Sequence, residues 1–455
     1  MANDNITALV PAAPIPWWKA LNRGHWLIFA VASLSWLIDC FDQQIFNLAR
    51  DGAVEHLIGK ELATEFAPYT TSVFLIGWAI GGLTLGAMGD RYGRVKMLMV
   101  AILMYAVCTG LSAFSTGFWD FCVYRLVTGI GVGGVFGLAV ALVSDTVPDR
   151  SRAPALGMLQ SLSSVGNIAA GVIGIGAGAL ALHGMLPLGL QTWQVLFMIG
   201  ALPALLLIPI FLRVREPQKW VDAKAEGERN GIQFGSYRNL LGHPTWRRHA
   251  WLGLVLCSAG IIGLWGIGNF HPKIIRSIID AHLAGTTLSA QQVASEKSYW
   301  SGVGLLLQNL GGFCGMLTLA KVAQRVGRKK AFALALTLSF LSTVMVFRYL
   351  REIDQIYWML PIMGFGQYSV FAVYAIYLPE LFPTSLRSTG SSFCYNFGRL
   401  IAATAPFTIG QVTRSLGGDI EGFRTAGVAV SFVLLIGLLV LPFLPETKDK
   451  PLPID

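Results

Sequence analysis

Gly86-Ala87-Met88-Gly89-Asp90-Arg91-Tyr92-Gly93-Arg94-Val95-Lys96 is a short charged turn set between two long apolar runs. Glycines frame a compact loop, Asp90 stands close to where a helix should begin, and Arg91, Arg94 and Lys96 place cations near two helix ends. A polar turn this short between two membrane-length segments holds helices together. It supplies no nucleophile–base arrangement for covalent chemistry.

The flanking runs belong to a chain of 455 residues that is 54% hydrophobic and 13% charged, against about 25% charged in soluble domains; its mean hydropathy is +0.58. A bilayer core of about 30 Å needs roughly 20 apolar residues per helix. Twelve segments meet that length: 26–48, 68–88, 97–115, 118–143, 155–182, 192–213, 249–271, 300–320, 331–349, 355–378, 389–411 and 423–444. Continuous apolar runs exclude a transmembrane barrel, whose strands alternate over about ten residues. The fold class is therefore an all-α polytopic membrane protein of twelve transmembrane helices. The polar stretch before the first run, with Lys19 and Arg23, is not a cleavable signal, and the run is retained as helix 1. Cys40, Cys108, Cys122, Cys257, Cys314 and Cys394 all fall inside the segments and read as small buried side chains, with no disulfide or metal-ligand spacing.

With both termini placed inside, most of the 34 Lys and Arg lie in the tails and the loops on that side, so the basic-residue bias favours cytoplasmic termini. The net charge of +9 follows from that topology and calls for no nucleic acid. An internal repeat then appears. Gly93-Arg94 recurs as Gly327-Arg328, within Gln324-Arg325-Val326-Gly327-Arg328-Lys329-Lys330, at an offset of 234; Asp145-x-x-Pro148-x-x-x-Arg152 recurs as Glu380-x-x-Pro383-x-x-x-Arg387 at 235. Two six-helix halves, 26–213 and 249–444, follow, with a cytoplasmic N-tail 1–25, a hydrophilic linker 214–248 and a C-tail 445–455. Parallel repeats of this kind place a binding site between the halves near the bilayer midplane.

The turn after helix 2, the Arg125-x-x-x-Gly129-x-Gly131-x-Gly133 run in helix 4 and Pro379-Glu380-Leu381-Phe382-Pro383 after helix 10 resemble the signature set of the major facilitator superfamily. Arg215-Glu216-Pro217 and Pro445-Glu446-Thr447-Lys448 resemble the half-domain endings of its sugar-porter branch, and Asp39-Cys40-Phe41-Asp42 resembles the helix 1 element of its aromatic-acid/proton symporters, with cysteine where that branch has glycine. The resemblance implies a secondary transporter in a plasma (inner) membrane, working by alternating access. It also implies a cytoplasmic gate made of Gly86, Asp90, Arg91, Gly93, Arg94, Asp145 and Arg152, echoed by Arg325, Arg328, Glu380 and Arg387. The second copy has Gln324 in place of the aspartate, so that half of the gate is the weaker. Loop anchoring by the same cations is the other reading.

Gly129, Gly133 and Gly137 recur every four residues, a spacing that lets helices approach closely; no strand precedes them to make a dinucleotide loop. No G-x-x-x-x-G-K-[ST] phosphate cradle is present. The expected machine uses no cofactor and is driven by a proton gradient. Charges inside membrane spans are costly and mark pathways. Asp39 and Asp42, three apart on one helix face, pair by depth with Arg399 and Arg125. Asp42 with Arg125, and Asp39 beside them, form the candidate proton-coupling set, or else a permanent structural pair. Arg399 is the candidate anchor for a substrate carboxylate, a bidentate match for guanidinium, or else the partner of Asp39. Asn396, Gln160, Asn167, Asn269, Gln308, Asn309, Gln367 and Tyr374 either line a central cavity or satisfy one another. Trp265, Phe270, Phe371 and Tyr377 either stack on a ring or pack, and His271, at the outer end of helix 7, is expected to be solvated or capping. The sequence therefore points to proton symport of a small organic anion, a carboxylate, by a monomer. A sugar or polyol cargo and a non-transporting sensor are the alternatives, and enzymatic chemistry has no support.

Overall fold

The computed structural model describes the backbone of residues 16–182, 185–186, 189–211, 213–284, 286–287 and 290–453, and their side chains apart from 64, 65, 68, 182, 203–211, 269, 290, 291, 294, 406 and 407. Most of the predicted N-tail and the last two residues of the C-tail lie outside it. Six helices form the first half: α1 (Arg23–Ile58), α2 (Lys60–Tyr92), α3 (Arg94–Ser112), α4 (Phe118–Thr146), α5 (Asp149–Leu182) and α6 (Thr192–Phe211). Two short helices follow in the linker, α7 (Gln218–Arg229) and α8 (Tyr237–Gly242). The second half comprises α9 (Pro244–Ile261), continued through a π-helical turn (Ile262–Ile267) into α10 (His271–His282), then α11 (Ala290–Val326), α12 (Arg328–Tyr349), α13 (Ile356–Tyr377), α14 (Arg387–Ala402) with α15 (Ala405–Ser415), and α16 (Ile420–Ser431) with α17 (Val433–Val440).

Among the described residues ten helical stretches are long and apolar enough to cross a membrane. The remaining two of the twelve segments are α6, whose later side chains are not described, and the eleventh, which is broken into α14 and α15 and is rich in buried Ser, Thr and Asn. Predicted boundaries were too short where a helix leaves the hydrocarbon. α1 continues to Ile58 rather than 48, which puts Asp39 and Asp42 at its middle, and the seventh segment continues to His282 rather than 271.

Close packing explains the glycines. A Cβ on Gly129 or Gly133 of α4 would stand 2.2 Å from the Phe74 carbonyl oxygen or 2.1 Å from that of Trp78 on α2, so the backbones touch where the spacing predicted. The second half repeats this between α11 and α13, where Gly364 would meet the Gln308 carbonyl at 1.9 Å. Gly137 differs: its Cβ would strike Ser392 of α14, across the halves. Cys314 corrects the expectation of buried cysteines, since it is exposed on the outer surface.

Each half closes with the same cap. Gly93 (φ +118°) and Gly327 (φ +104°) adopt a conformation that only glycine takes readily, and each turns the chain into the third helix of its half. The carboxylate of Glu216 accepts from the first backbone N–H groups of α3, those of Arg94 (2.9 Å), Val95 (3.1 Å) and Lys96 (3.1 Å). Glu446 does the same for Arg328 (2.9 Å) and Lys329 (3.1 Å) of α12. A Cβ at Gly93 would stand 2.3 Å from the Glu216 carboxylate. Burial acts to raise the Glu446 carboxyl, yet it sits below its ordinary value because the backbone N–H groups of Arg328, Lys448, Lys329 and Thr447 donate to it. A lowered folded-state value means that the cap is complete above the ordinary glutamate range and is lost as pH falls through the lowered value. Glu446→Ala is expected to cost about 0.5–2 kcal/mol and to flatten the acid side of the melting-temperature profile in detergent. An unchanged profile would show that the cap does not stabilise the fold.

Candidate functional site

The halves meet through α2 against α14 and α5 against α11, and a small cavity of about 30 Å³ lies between them. Arg399 of α14 is its charged feature. The guanidinium lies over the Trp78 ring at 3.7 Å, with the Tyr395 ring at 4.7 Å and the Trp265 ring at 5.4 Å. Aromatic faces stabilise a cation without neutralising it. Nη2 donates to the Tyr395 hydroxyl at 3.0 Å, whereas Nε is buried with no partner. Among the described residues Arg399 has no ion pair, so a direct pair with Asp39 is absent. Tyr395 is itself fixed by stacking on Phe136 at 3.8 Å.

Asp39 and Asp42 are fully buried. Asp39 Oδ2 accepts from Gln43 at 3.0 Å and its Oδ1 has no partner among the described residues, while Thr109 is the polar side chain beside Asp42. Arg125 lies within electrostatic range of Asp42, and Arg399 of Asp39, but the pair expected from depth is not in contact. Arg125 is held by α3 instead. It donates to Ser112 Oγ (2.6 and 3.1 Å), Thr109 Oγ1 (3.3 Å) and the Cys108 carbonyl (3.3 Å), with its guanidinium 4.7 Å from the Phe197 ring.

The remaining candidate side chains divide into two groups. Gln160, Asn167 and Trp265 line the cavity with Gln43, Tyr368 and Phe371; Gln160 Oε1 is unpartnered and Asn167 Nδ2 donates across the halves to Asn309 Oδ1 at 3.0 Å. The others face away. Gln308 donates to Gln367 at 3.0 Å, Tyr374 donates to the Leu256 carbonyl at 2.5 Å, and Asn396 donates to the Ser392 carbonyl at 3.1 Å while packing on Gly82. Phe270 packs on Phe423, and Tyr377 donates to the Pro445 carbonyl far from the cavity. The Asn269 side chain lies outside the described residues. His271 is a correction: because the seventh segment runs on past it, the ring is fully buried, with Nδ1 2.9 Å from the Gly268 carbonyl and Nε2 unpartnered. Gln43, Tyr395 and Trp78 were missed. The first two stand four residues from Asp39 and Arg399, a helical spacing that flags them; Trp78 joins from another helix and carries no local signal.

At the end of the bundle that holds Gly93 and Gly327, charge crosses between the halves. Asp90 of α2 caps the first turn of α14, accepting from Ser388 N (3.1 Å), Thr389 N (2.8 Å) and Thr389 Oγ1 (2.7 Å), where a helix N-terminus favours an anion. Arg94 pairs with Asp90 at 3.1 Å and with Asp145, and donates to the Thr384 carbonyl at 2.7 Å. Arg387 crosses from the second half to Asp145, the ion pair that joins the halves among the described residues. Gly86 packs against Ser392. Arg328 clasps Glu380 at 2.7 and 3.0 Å within its own half, and Gln324 donates to the Arg150 carbonyl at 3.0 Å across the halves. Arg152 departs from expectation by pairing with Asp149, and Arg91 and Arg325 are exposed outside the buried network. The linker braces this end. Trp220 Nε1 donates to the Asp90 carbonyl at 2.9 Å, and the Tyr237 hydroxyl donates to that of Leu83 at 2.6 Å. A separate concavity of about 540 Å³ is an apolar groove between α11, α12 and α13 with no charged lining.

Residues 33–295 match the family model of the Major Facilitator Superfamily, and residues 355–453 match that of the sugar (and other) transporters. The chain is 28% identical over 432 residues to the cis,cis-muconate transport protein of Acinetobacter baylyi, spanning 93% of this chain and 95% of that one. It is 26% identical over 433 residues to the sialic acid transporter NanX of Escherichia coli (93% and 95%), and 24% over 424 residues to the gentisate transporter of Corynebacterium glutamicum (92% and 88%). The fold is that of the proton:xylose symporter XylE, at a TM-score of 0.70 and 18% identity over 94% of this chain and 98% of that one.

Proposed function

Because this chain belongs to the Major Facilitator Superfamily and is a multi-pass membrane transporter, not an enzyme, we propose that it carries a small planar carboxylate together with protons. The observation that supports this cargo is Arg399, a guanidinium between aromatic rings at the cavity with a buried Nε and, among the described residues, no ion pair. A carboxylate supplies the missing charge in a bidentate fit, and Trp78, Trp265 and Tyr395 suit a flat conjugated body. The three relatives named above are named for acids. The rival, a neutral sugar, draws on the likeness to the xylose symporter and on the Gln160 amide; it leaves the guanidinium unneutralised.

In this reading the cavity of about 30 Å³, room for a water or two, is an occluded state. The cross-linked end is the cytoplasmic gate in its closed form, and both termini are cytoplasmic. Protonation of Asp42 removes its attraction for Arg125 and biases how the halves tilt, with Asp39 and Gln43 carrying that change toward Arg399. No nucleotide or other cofactor takes part.

Counterflow and uptake in proteoliposomes, comparing conjugated and aromatic carboxylates with hexoses at two pH values, test the proposal. Carboxylates are expected to exchange and to accumulate under an inward proton gradient; transport of hexoses alone would overturn the cargo. Asp42→Asn is expected to reduce proton-driven accumulation to the equilibrium level while sparing counterflow, and normal accumulation would remove Asp42 from coupling.

A further inference from the structure

We infer that Gln367 is a positioning residue: it holds the π-helical turn of the seventh segment and thereby sets where Trp265 stands beside Arg399. The sequence left Gln367 either lining a central cavity or satisfying another amide. In the structure it is 1% exposed and absent from the cavity lining, and both ends of its carboxamide are engaged. Oε1 accepts from Gln308 Nε2 at 3.0 Å; Nε2 donates to Thr343 Oγ1 at 2.8 Å and to the Gly263 carbonyl at 3.4 Å. Gln308 and Thr343 fix the orientation of the amide, and the amide reaches the turn.

The turn needs holding. A π-helical turn interrupts the regular hydrogen-bond ladder, and this one carries Gly263 and Gly266 with Gly268 just beyond, residues that impose little conformational restraint. Gln367 lies against it at both ends: it meets the Gly263 carbonyl, and a Cβ on Gly268 would stand 2.3 Å from its Oε1. On other sides the contacts are apolar, Leu434 against Gly263 and Ala405 against Gly266, with His271 Nδ1 2.9 Å from the Gly268 carbonyl. Between the two points held by Gln367 stands Trp265, which lines the cavity with its ring 5.4 Å from the Arg399 guanidinium. Gln367 thus acts on the cavity through the backbone of another segment. The inference rests on the reading that the Arg399 cavity takes the cargo.

Two readouts test it. In nanodiscs without substrate, Gln367→Leu is expected to speed amide hydrogen exchange over 262–268 by about tenfold, the scale of a lost buried hydrogen bond. In carboxylate counterflow the same variant should raise apparent KM about tenfold at little change in maximal rate, and in a Trp265→Ala background it should raise it no further. Thr343→Val, a milder loss of one contact, should shift both readouts in the same direction and covers the case in which Gln367→Leu folds poorly. Unchanged exchange in both variants, or KM effects that add in the double variant, would overturn the positioning role. Absence of carboxylate transport in the parent protein would instead sink the cargo reading, and the substrate-free exchange result would still decide whether Gln367 holds the turn.

Discussion

Asp145→Asn is expected to open the cross-linked end of the bundle. Asp145 of α4 receives Arg94 from its own half and Arg387 from the other, and all three side chains are nearly inaccessible to solvent. A buried ion pair contributes little net stability against an apolar replacement, but removing one partner strands the other's charge at about 3–5 kcal/mol. Here Arg387 loses its carboxylate partner, and Arg94 keeps Asp90 alone. The cost falls on the arrangement that buries them, so the halves separate where water can reach both cations. At about 1.4 kcal/mol per tenfold, the closed arrangement should lose at least a hundredfold in relative population. Spin labels at the exposed Arg91 and Arg325 positions, with Cys314 replaced by serine, read this as a longer, broader distance distribution in nanodiscs. Asp51→Asn is the control, since Asp51 is 73% exposed and its pair with Arg50 should matter little. A distribution identical to the parent's would show that the Asp145 pairs do not hold this end closed.

Arg399→Lys should weaken carboxylate binding by about 10- to 100-fold, the range spanned by losing one charge-assisted hydrogen bond of about 1.5–3 kcal/mol. Lysine keeps the charge but loses the planar fork, and with it both the bidentate match and the stacking on Trp78. The effect should be specific. Titration calorimetry with a conjugated carboxylate and with its neutral amide should show the acid losing most of its advantage over the amide in the variant. Acid affinity within about twofold of the parent value, far less than one lost charge-assisted hydrogen bond, would remove Arg399 as the anion anchor.

The helix ends were the least legible part of the fold. Hydropathy marks where a chain enters hydrocarbon, but a helix continues as long as its backbone bonds are satisfied, which is why α1 reaches Ile58 and His271 lies inside a segment rather than at its end. The break between α14 and α15 carries no proline or charge signal before Ala405-Pro406. Among the site residues, those with partners three or four positions away could be read locally. Those with remote partners could not: Gln308 and Gln367 fit a cavity or a mutual pair equally well in sequence, and only their bond, 59 positions apart, decides.

What the sequence determined by itself is the architecture and its chemistry type. Its low charge and long apolar runs require membrane helices, glycines four apart require helices in contact, and motifs recurring at offsets of 234 and 235 require two similar halves, because each property follows from composition or period alone. It also marked Asp39, Asp42, Arg125 and Arg399 as expensive and therefore purposeful. Tertiary structure alone decided who partners whom. Arg387 reaches Asp145 across 242 positions, Arg125 turns to Ser112 and Thr109 rather than to Asp42, Arg399 sits among rings with no carboxylate, and Glu216 and Glu446 cap helices far from them in sequence. Desolvation makes every buried charge seek a partner, but which partner stands within reach is set by the packing of whole helices, and no local pattern encodes that.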